Sequence, residues 1–80
     1  MKEFIEFIAK HLVDDPDQVN VTEVESDKGL LLKLSVGESD IGRVVGKEGR
    51  TARSIRTLLI AVAARQGIRA ALEILDGSER

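Results

Sequence analysis

The sequence predicts an α+β domain in which three strands are backed by helices on one face, in the order α-β-β-α-α-β. Residues 30–36 alternate apolar and polar side chains, which is the pattern of a half-buried strand. Residues 2–13 and 50–66 instead repeat their apolar side chains with a helical period. A sheet of three short strands is too small to be covered on both faces, so the helices are expected to share one face.

The first helix is predicted over residues 2–13. The helix is expected to end before Pro16, because the residue before a proline is pushed out of the helical region. Phe7 widens the apolar stripe, and both phenylalanines are expected to pack in the core rather than to stack on bases. The stripe itself consists of Phe4, Ile5, Ile8 and Leu12.

Two strands joined by a tight turn follow the first helix. Residues 18–25 alternate imperfectly between apolar and polar side chains, which indicates a strand. Val24 is out of phase with Val19 and Val21, so a bulge in this strand is one interpretation. Residues 27–29 form the hairpin turn, with Gly29 at the position that favours left-handed backbone angles. The strand over residues 30–36 has the clearest pattern. Its inward face consists of Leu30, Leu32, Leu34 and Val36.

The second half of the chain is predicted to hold a short helix, a long helix and a last strand. Ser39 or Asp40 can cap the short helix over residues 41–45, and Gly67 stops the long one. The last strand is predicted over residues 68–75, with an inward face of Ile68, Ala70, Leu72 and Ile74. The core face of the long helix consists of Ala52, Ile55, Leu58, Leu59, Val62 and Ala63.

Composition indicates a small cytoplasmic domain without catalytic chemistry. The 80 residues are expected to form one domain, with residues 76–80 as a frayed polar tail. Because there is no cysteine and His11 is the one histidine, no metal site, cofactor or enzyme activity is expected. The longest apolar run, residues 58–64, is too short to span a bilayer. Glu3 and Glu6 make the N-terminus unlike a signal peptide.

Positive charge is concentrated in one stretch of an otherwise acidic chain. The net charge is −2, and residues 1–39 hold four basic and nine acidic side chains. Residues 40–56 hold five basic and two acidic side chains, hence +3. A solvated helix face that carries arginines is the simpler interpretation. A local cationic footprint indicates a polyanionic ligand, and its coincidence with a glycine turn favours that second interpretation.

The glycine turn, residues 46–49, lies directly before the long helix. Two glycines three residues apart let the backbone take left-handed angles and approach a ligand without an intervening side chain. The helix N-terminus that follows offers N–H groups and the positive end of the helix dipole to an anion. Lys47, Arg50 and Arg53 add cations around the same point. A nucleic-acid backbone suits this shallow turn better than a buried small molecule.

Other phosphate-binding motifs do not fit the sequence. The segment from Gly42 to Glu48 is one residue too short for a P-loop, and it has Glu48 where a Ser or Thr must hold Mg²⁺. There is no Gly-x-Gly-x-x-Gly. With two Phe and no Tyr or Trp, an aromatic platform for stacking nucleic-acid bases is excluded as well.

The stretch around the turn resembles the KH domain, an RNA- and single-stranded-DNA-binding module. From Ile41 to Ile55 it follows the family's Ile-Gly-x-x-Ile-Gly-x-x-Gly-x-x-x-x-x-Ile pattern, with Val45 at one Ile position. A Gly-x-x-Gly alone is weak evidence for this family, but the apolar and glycine positions at the family's spacing are together strong evidence. The order of elements is similar to the type II, bacterial KH arrangement over essentially the whole chain. In length and layout the chain is similar to the single-KH bacterial proteins of the KhpA family.

The resemblance implies a type II KH fold with a mixed three-stranded sheet and a loop that clamps about four single-stranded nucleotides by their backbone. It further implies an RNA chaperone or post-transcriptional regulator tied to cell shape and peptidoglycan homeostasis. Lys47 is the leading phosphate contact, and Glu48 beside it is expected to weaken binding. The implied RNA-binding loop consists of Gly46, Lys47, Glu48 and Gly49.

An RNA-binding groove and rim are implied beside this loop. Val44 and Ile55 also occupy groove positions of the family, although some of these side chains must face the core. Gly42 has two interpretations, close approach of a ligand or close packing of a helix. Arg56 extends the cationic rim. The groove and rim consist of Ile41, Gly42, Arg43, Val45, Arg50 and Arg53.

The long helix carries a second candidate surface. Thr57, Ile60 and Ala64 lie on the side away from the predicted core, near Arg53. A lone exposed isoleucine is ordinary on protein surfaces. The sharper hypothesis is a helix–helix contact that makes a homodimer or a complex with a second KH-containing protein. The chain would then be a protein-interaction adaptor with a vestigial loop, whereas the intact glycines and the local +3 charge favour RNA binding.

Overall fold

The computed structural model of the chain describes residues 1–75. In chain order the elements are α1 (Lys2–Leu12), β1 (Asn20–Ser26), β2 (Gly29–Ser35), α2 (Ile41–Val45), α3 (Arg50–Arg65) and β3 (Ala70–Ile74). Short 3₁₀ turns precede β1, α2 and α3. The predicted order α-β-β-α-α-β is confirmed. The tail predicted for residues 76–80 lies outside the described residues.

The sheet has β2 at its centre. β3 pairs with one edge of β2 in parallel, with Leu32 opposite Leu72. β1 pairs with the other edge in antiparallel orientation, and the register runs without a break through Val24, which lies opposite Leu31. The mixed sheet is therefore confirmed. Instead of forming a bulge, Val24 lies three residues from the buried Val21 and points to the opposite face.

The helices cover one face of the sheet and enclose the core there. The buried strand residues share that face, whereas Thr22 and Ala71 on the other face are exposed. α1 contributes Ile5 and Ala9, and α3 contributes Leu59 at the centre of its buried side. The buried core cluster consists of Ile5, Ala9, Val21, Leu32, Leu34, Val36, Val44, Ile55, Leu59 and Leu72.

Two residues that the sequence placed in the core are exposed. Phe7 is 64% exposed and Leu58 is 51% exposed. At about 100° per residue, Phe7 lies about 200° around α1 from the buried Ile5. Its ring packs against His11, with the ring centroids 4.4 Å apart. Leu58 lies about 100° from Leu59, at the edge of the apolar stripe of α3 rather than at its centre.

α3 ends where the sequence predicted. Gly67 has a φ of 73°, and its N–H donates to the carbonyl of Ala64 at 3.0 Å. The N–H of Ile68 donates to the carbonyl of Ala63 at 3.0 Å, which completes a left-handed helix terminus. β3 begins only at Ala70, so Ile68 is exposed instead of facing inward as predicted.

Asp40 is a buried carboxylate that joins two distant segments. Its side chain is 1% exposed, and it occupies the residue before α2 as predicted, but it does not cap that helix. The carboxylate instead accepts hydrogen bonds from the backbone N–H groups of Asp14 and Asp15, both at 3.1 Å. It also pairs with the guanidinium of Arg43 at 3.3 Å. Asp40 thereby holds the start of α2 against the segment that follows α1.

Candidate nucleic-acid interface

The loop between α2 and α3 contains three residues with a positive φ. Gly46 has φ 77° and ψ 172°, Glu48 has φ 57°, and Gly49 has φ 75°. Among the residues described, Glu48 is the one non-glycine residue with a positive φ. Because such angles are strained for most side chains, the two glycines allow a compact turn between α2 and α3. The sequence predicted this turn correctly.

The three glycines of this region serve different purposes. A Cβ at Gly46 would overlap with the hydroxyl oxygen of Thr51, so packing as well as φ requires glycine there. A Cβ at Gly49 or Gly42 would meet no neighbouring atom within 4 Å. For Gly42, which lies in α2 with ordinary helical geometry, close packing of a helix is therefore wrong. The space beside Gly42 and Gly49 is open to a ligand.

The loop presents backbone donors that the protein does not use. Within residues 1–75, no acceptor lies within hydrogen-bond distance of the N–H groups of Lys47 and Glu48. Gly49 donates to the carbonyl of Gly46 at 3.1 Å, which closes the turn. Lys47 and Glu48 are exposed. Two N–H groups without an acceptor in the protein thus lie at the positive end of α3, where an anion is stabilised.

The cations around the loop divide into free and engaged side chains. Lys47, Arg50 and Arg53 are exposed, and within residues 1–75 none of them forms a salt bridge. The side chain of Arg43 is 52% exposed, yet its guanidinium contacts Asp14 at 2.8 Å and the buried carboxylate of Asp40 at 3.3 Å. Its charge is therefore largely balanced, by Asp40, which the sequence count of +3 included, and by Asp14, which it did not. The free positive charge lies on the loop and the first turn of α3.

The apolar side chains of the predicted groove differ in how deeply they are buried. Val44 and Ile55 are buried and belong to the core. Ile41 and Val45 are half-buried and remain partly accessible beside the loop. Val44 and Ile55 therefore cannot contact a ligand, as the sequence analysis anticipated for some of these positions.

A groove that the sequence did not reveal runs between α3 and β3. It has a volume of ≈ 170 Å³, and Leu59 and Ile60 line its helix side. Arg56 crosses toward the strand, where its Nε donates to the carbonyl of Leu72 at 3.3 Å. The strand wall consists of Ala70, Ala71 and Leu72. The alternation of the last strand marked Ala70 and Leu72 as inward-facing, but no local pattern marks a groove wall, because the wall exists only through the parallel pairing of β3 with β2.

Among residues 1–75, no helix combines the length and the apolar character that a membrane crossing needs. In the same part of the chain, no group of His, Asp and Glu side chains is arranged to hold a metal ion.

Comparison with known proteins identifies the family. A family model described as "KhpA/KhpB, KH domain" matches residues 2–74. The chain belongs to the KhpA/KhpB KH-domain family. The match spans nearly the whole chain and includes the glycine loop, both helices beside it and the three strands, so the predicted type II KH fold and the predicted family are confirmed.

Several relatives resemble the KH domain over almost its full length. It is 49% identical to the RNA-binding protein KhpA of Chlamydia pneumoniae, over 95% of this chain and 97% of that protein. It is 51% identical to the RNA-binding protein KhpA of Borreliella burgdorferi, over 92% and 90% of the two chains. It is 45% identical to the RNA-binding protein KhpA of Aquifex aeolicus, over 95% and 96%. These relatives are named for RNA binding and not for catalysis, in agreement with the prediction that the chain is not an enzyme. No solved structure matches this chain.

Proposed function

We propose that this KH domain binds single-stranded RNA, with single-stranded DNA as a second ligand, by clamping about four nucleotides through residues 46–49. The observation that carries the proposal is the pair of unused N–H groups of Lys47 and Glu48 in an exposed turn. A phosphate seated there accepts both hydrogen bonds and lies near three exposed cations. The names of the relatives support RNA as the ligand.

The bases are proposed to enter the groove between α3 and β3. Its wall of alanines and the exposed Ile60 on its helix side offer apolar contact without a ring on which bases could stack. Shape then selects unpaired strands, while few polar groups distinguish one base from another, so sequence stringency is expected to be low. We assign the half-buried Ile41 and Val45 to the loop side of this site and the exposed Arg50 and Arg53 to its cationic rim.

The cellular role follows from the family resemblance and belongs to the proposal. We propose that the protein acts in the cytoplasm as an RNA chaperone or post-transcriptional regulator that contributes to cell shape and peptidoglycan homeostasis. Weak, sequence-tolerant clamping of unpaired strands is the activity that such a role requires. The acidic net charge of −2 for the whole chain, with its basic side chains concentrated around the loop, supports selective contact through the loop rather than general adsorption to RNA.

Replacement of Lys47 by aspartate tests the proposal. The variant places a negative charge beside the phosphate site, so affinity for a mixed pool of short RNA is expected to fall by more than about tenfold, or about 1.4 kcal/mol. Lys47 is exposed, so the melting temperature is expected to stay the same. Lys10→Asp, a change of equal charge at an exposed site on α1, is the matched control and should leave binding almost unchanged.

Salt dependence gives an independent measure of the same contacts. Three or four neutralised phosphates on a single strand predict that log K falls with log salt at a slope of about −2 to −3. A slope near zero for the parent protein, or equal affinities for Lys47→Asp and the parent, would exclude the loop as the binding site.

A second candidate function is a protein-interaction adaptor that pairs through α3, as a homodimer or with a second KH-containing protein. The observation that favours it is Ile60, which is 58% exposed, with Ala64 exposed one turn further along the helix. Thr57 is exposed nearby, but its hydroxyl donates to the carbonyl of Arg53 at 3.0 Å and offers little to a partner. Pairing of two domains would raise the avidity of a four-nucleotide site.

Sedimentation of an Ile60→Glu variant tests this second function. If the parent chain is a dimer through this side of α3, the charge is expected to yield a monomer. Leu58→Glu is the matched control, because Leu58 is 51% exposed and lies about 200° around the same helix from Ile60. Equal masses for Ile60→Glu and the parent would reject pairing through Ile60.

A further inference from the structure

A single charged side chain lies in the groove between α3 and β3. Arg56 lines this groove, and the other described residues that line it are all apolar. Arg56 is exposed and lies one helical turn before Ile60 on the groove side of α3. Within residues 1–75, its guanidinium has no acidic partner within salt-bridge distance. An unbalanced positive charge therefore faces apolar walls.

The guanidinium of Arg56 is anchored on the free edge of β3. Its Nε donates to the carbonyl of Leu72 at 3.3 Å. In a parallel pair, alternate residues of a strand bond to the neighbouring strand, and Arg69 and Leu75 bond to β2 in this way. Leu72 is three residues from each of them, so its carbonyl points away from β2. Arg56 thus occupies an acceptor that the strand edge would otherwise offer to a base.

The anchoring bond leaves the outer end of the guanidinium available. Within residues 1–75, the two terminal nitrogens of Arg56 make no hydrogen bond. The guanidinium is planar, so these nitrogens present two N–H bonds side by side. Such a fork binds two adjacent acceptors at once. At the level of Leu72, the groove therefore offers paired donors, and the nearby acceptor is already used.

Guanine matches this fork better than adenine does. N7 and O6 of guanine are adjacent acceptors, and a bidentate contact of arginine with them is the commonest contact that identifies this base. On the same edge, adenine has N7 beside an amino group, which is itself a donor and meets the guanidinium with like polarity. The carbonyl of Leu72 could have accepted from that amino group, but Arg56 occupies it.

We infer that Arg56 is a specificity-determining residue that selects guanine at one nucleotide position of the bound strand. The inference rests on the proposed RNA binding and deepens it, because the loop supplies affinity through phosphates and Arg56 adds a preference for one base. The remaining lining side chains are apolar and do not distinguish bases by hydrogen bonding. Stringency therefore stays low overall, with a preference for unpaired segments that contain a guanine.

Three RNA oligomers of six nucleotides test the inference. Each is uridine except at the third position, which holds guanosine, adenosine or 7-deazaguanosine, a guanosine with C–H in place of N7. Fluorescence anisotropy would measure their affinities for the parent protein. The guanosine oligomer is expected to bind about fivefold more tightly than the adenosine oligomer, and 7-deazaguanosine should lose most of that preference. Equal affinities for guanosine and 7-deazaguanosine would overturn the inference without any variant.

Two substitutions separate base selection from a structural or purely electrostatic role of Arg56. Arg56→Lys keeps the charge but lacks the planar fork, so it should lose most of the guanosine preference, with affinity for six uridines within about twofold of the parent's. Arg56→Met keeps an unbranched side chain without donors and should bind the guanosine and adenosine oligomers equally. Because Arg56 is exposed, both variants are expected to fold, which the melting temperature would verify. A guanosine preference that both retain would show that another residue selects the base.

Arg65→Lys is the matched control. Arg65 is an exposed arginine on the same helix, about 180° around α3 from Arg56, and so faces away from the groove. This variant should change neither the affinities nor the preference. Lys47→Asp separates the inference from the proposed function, because it should weaken all three oligomers alike. If Lys47→Asp binds them as the parent does, the proposed clamp is wrong; if it weakens them and the parent does not distinguish guanosine from adenosine, only the role of Arg56 is.

Discussion

Replacement of Asp40 by alanine is expected to lower the free energy of unfolding by about 3 kcal/mol. The 1% exposed carboxylate accepts hydrogen bonds from the N–H groups of Asp14 and Asp15, both at 3.1 Å. A hydrogen bond to a charged group is worth about 1.5–3 kcal/mol, and a buried donor left without a partner costs about 1–3 kcal/mol. Arg43 adds little to the loss, because it is 52% exposed and water can solvate it once the carboxylate is gone.

This loss is large for a chain of 80 residues, whose total stability is expected to be about 4–12 kcal/mol. A destabilisation of about 3 kcal/mol lowers the melting temperature of a domain this size by about 12–24 °C. Asp40→Asn retains one side-chain oxygen that can accept from one of the two amides, so an intermediate loss is expected.

Urea unfolding followed by circular dichroism would measure these differences. Glu38→Ala is the matched control, because Glu38 is an exposed acidic residue close to Asp40 in the same turn. Hydrogen exchange of the Asp14 and Asp15 amides should accelerate in Asp40→Ala before the core opens. A loss below about 1 kcal/mol, with the two amides still protected, would refute the assignment of Asp40 as the residue that joins α1 to α2.

The glycines around the loop predict two opposite outcomes. Gly46→Ala is expected to lower stability by about 2–4 kcal/mol, because its Cβ would overlap with Thr51 and its φ of 77° is unfavourable for alanine; thermal unfolding would measure this, and an unchanged melting temperature would contradict it. Gly42→Ala is expected to keep or raise stability by up to about 1 kcal/mol, since helical geometry and open space both accept the methyl group. The same variant should nevertheless weaken RNA binding about three- to tenfold, and unaltered affinity in anisotropy titrations would show that no ligand approaches Gly42.

Much of the fold could be predicted from local patterns. The hairpin turn before β2, the end of α3 at Gly67 and the left-handed loop at Gly46 and Gly49 each depend on a few adjacent residues, and the structure confirms them. The alternation of residues 30–36 likewise determined which side of β2 is buried. These features were predictable because glycine and side-chain alternation act on the backbone within a few residues.

The width of an apolar stripe was a weaker guide. Phe7 and Leu58 both extend a helical stripe in the sequence, and both are exposed in the structure. Periodicity identifies the centre of a buried helix face, but how far the neighbouring elements cover its edges depends on their packing. The same limitation applies to Ile68, which precedes β3 instead of entering it.

The sequence by itself determined the order of the elements, the family and the position of the glycine loop. Only the tertiary structure decided which charges remain free and where the groove between α3 and β3 lies. The carboxylate of Asp40 accepts a hydrogen bond from an amide 26 residues away and also pairs with Arg43. The groove exists because β3 pairs with β2 and so lies next to α3. The physical reason is range: turns and helix ends depend on adjacent residues, whereas charge pairing and grooves depend on segments that folding brings together.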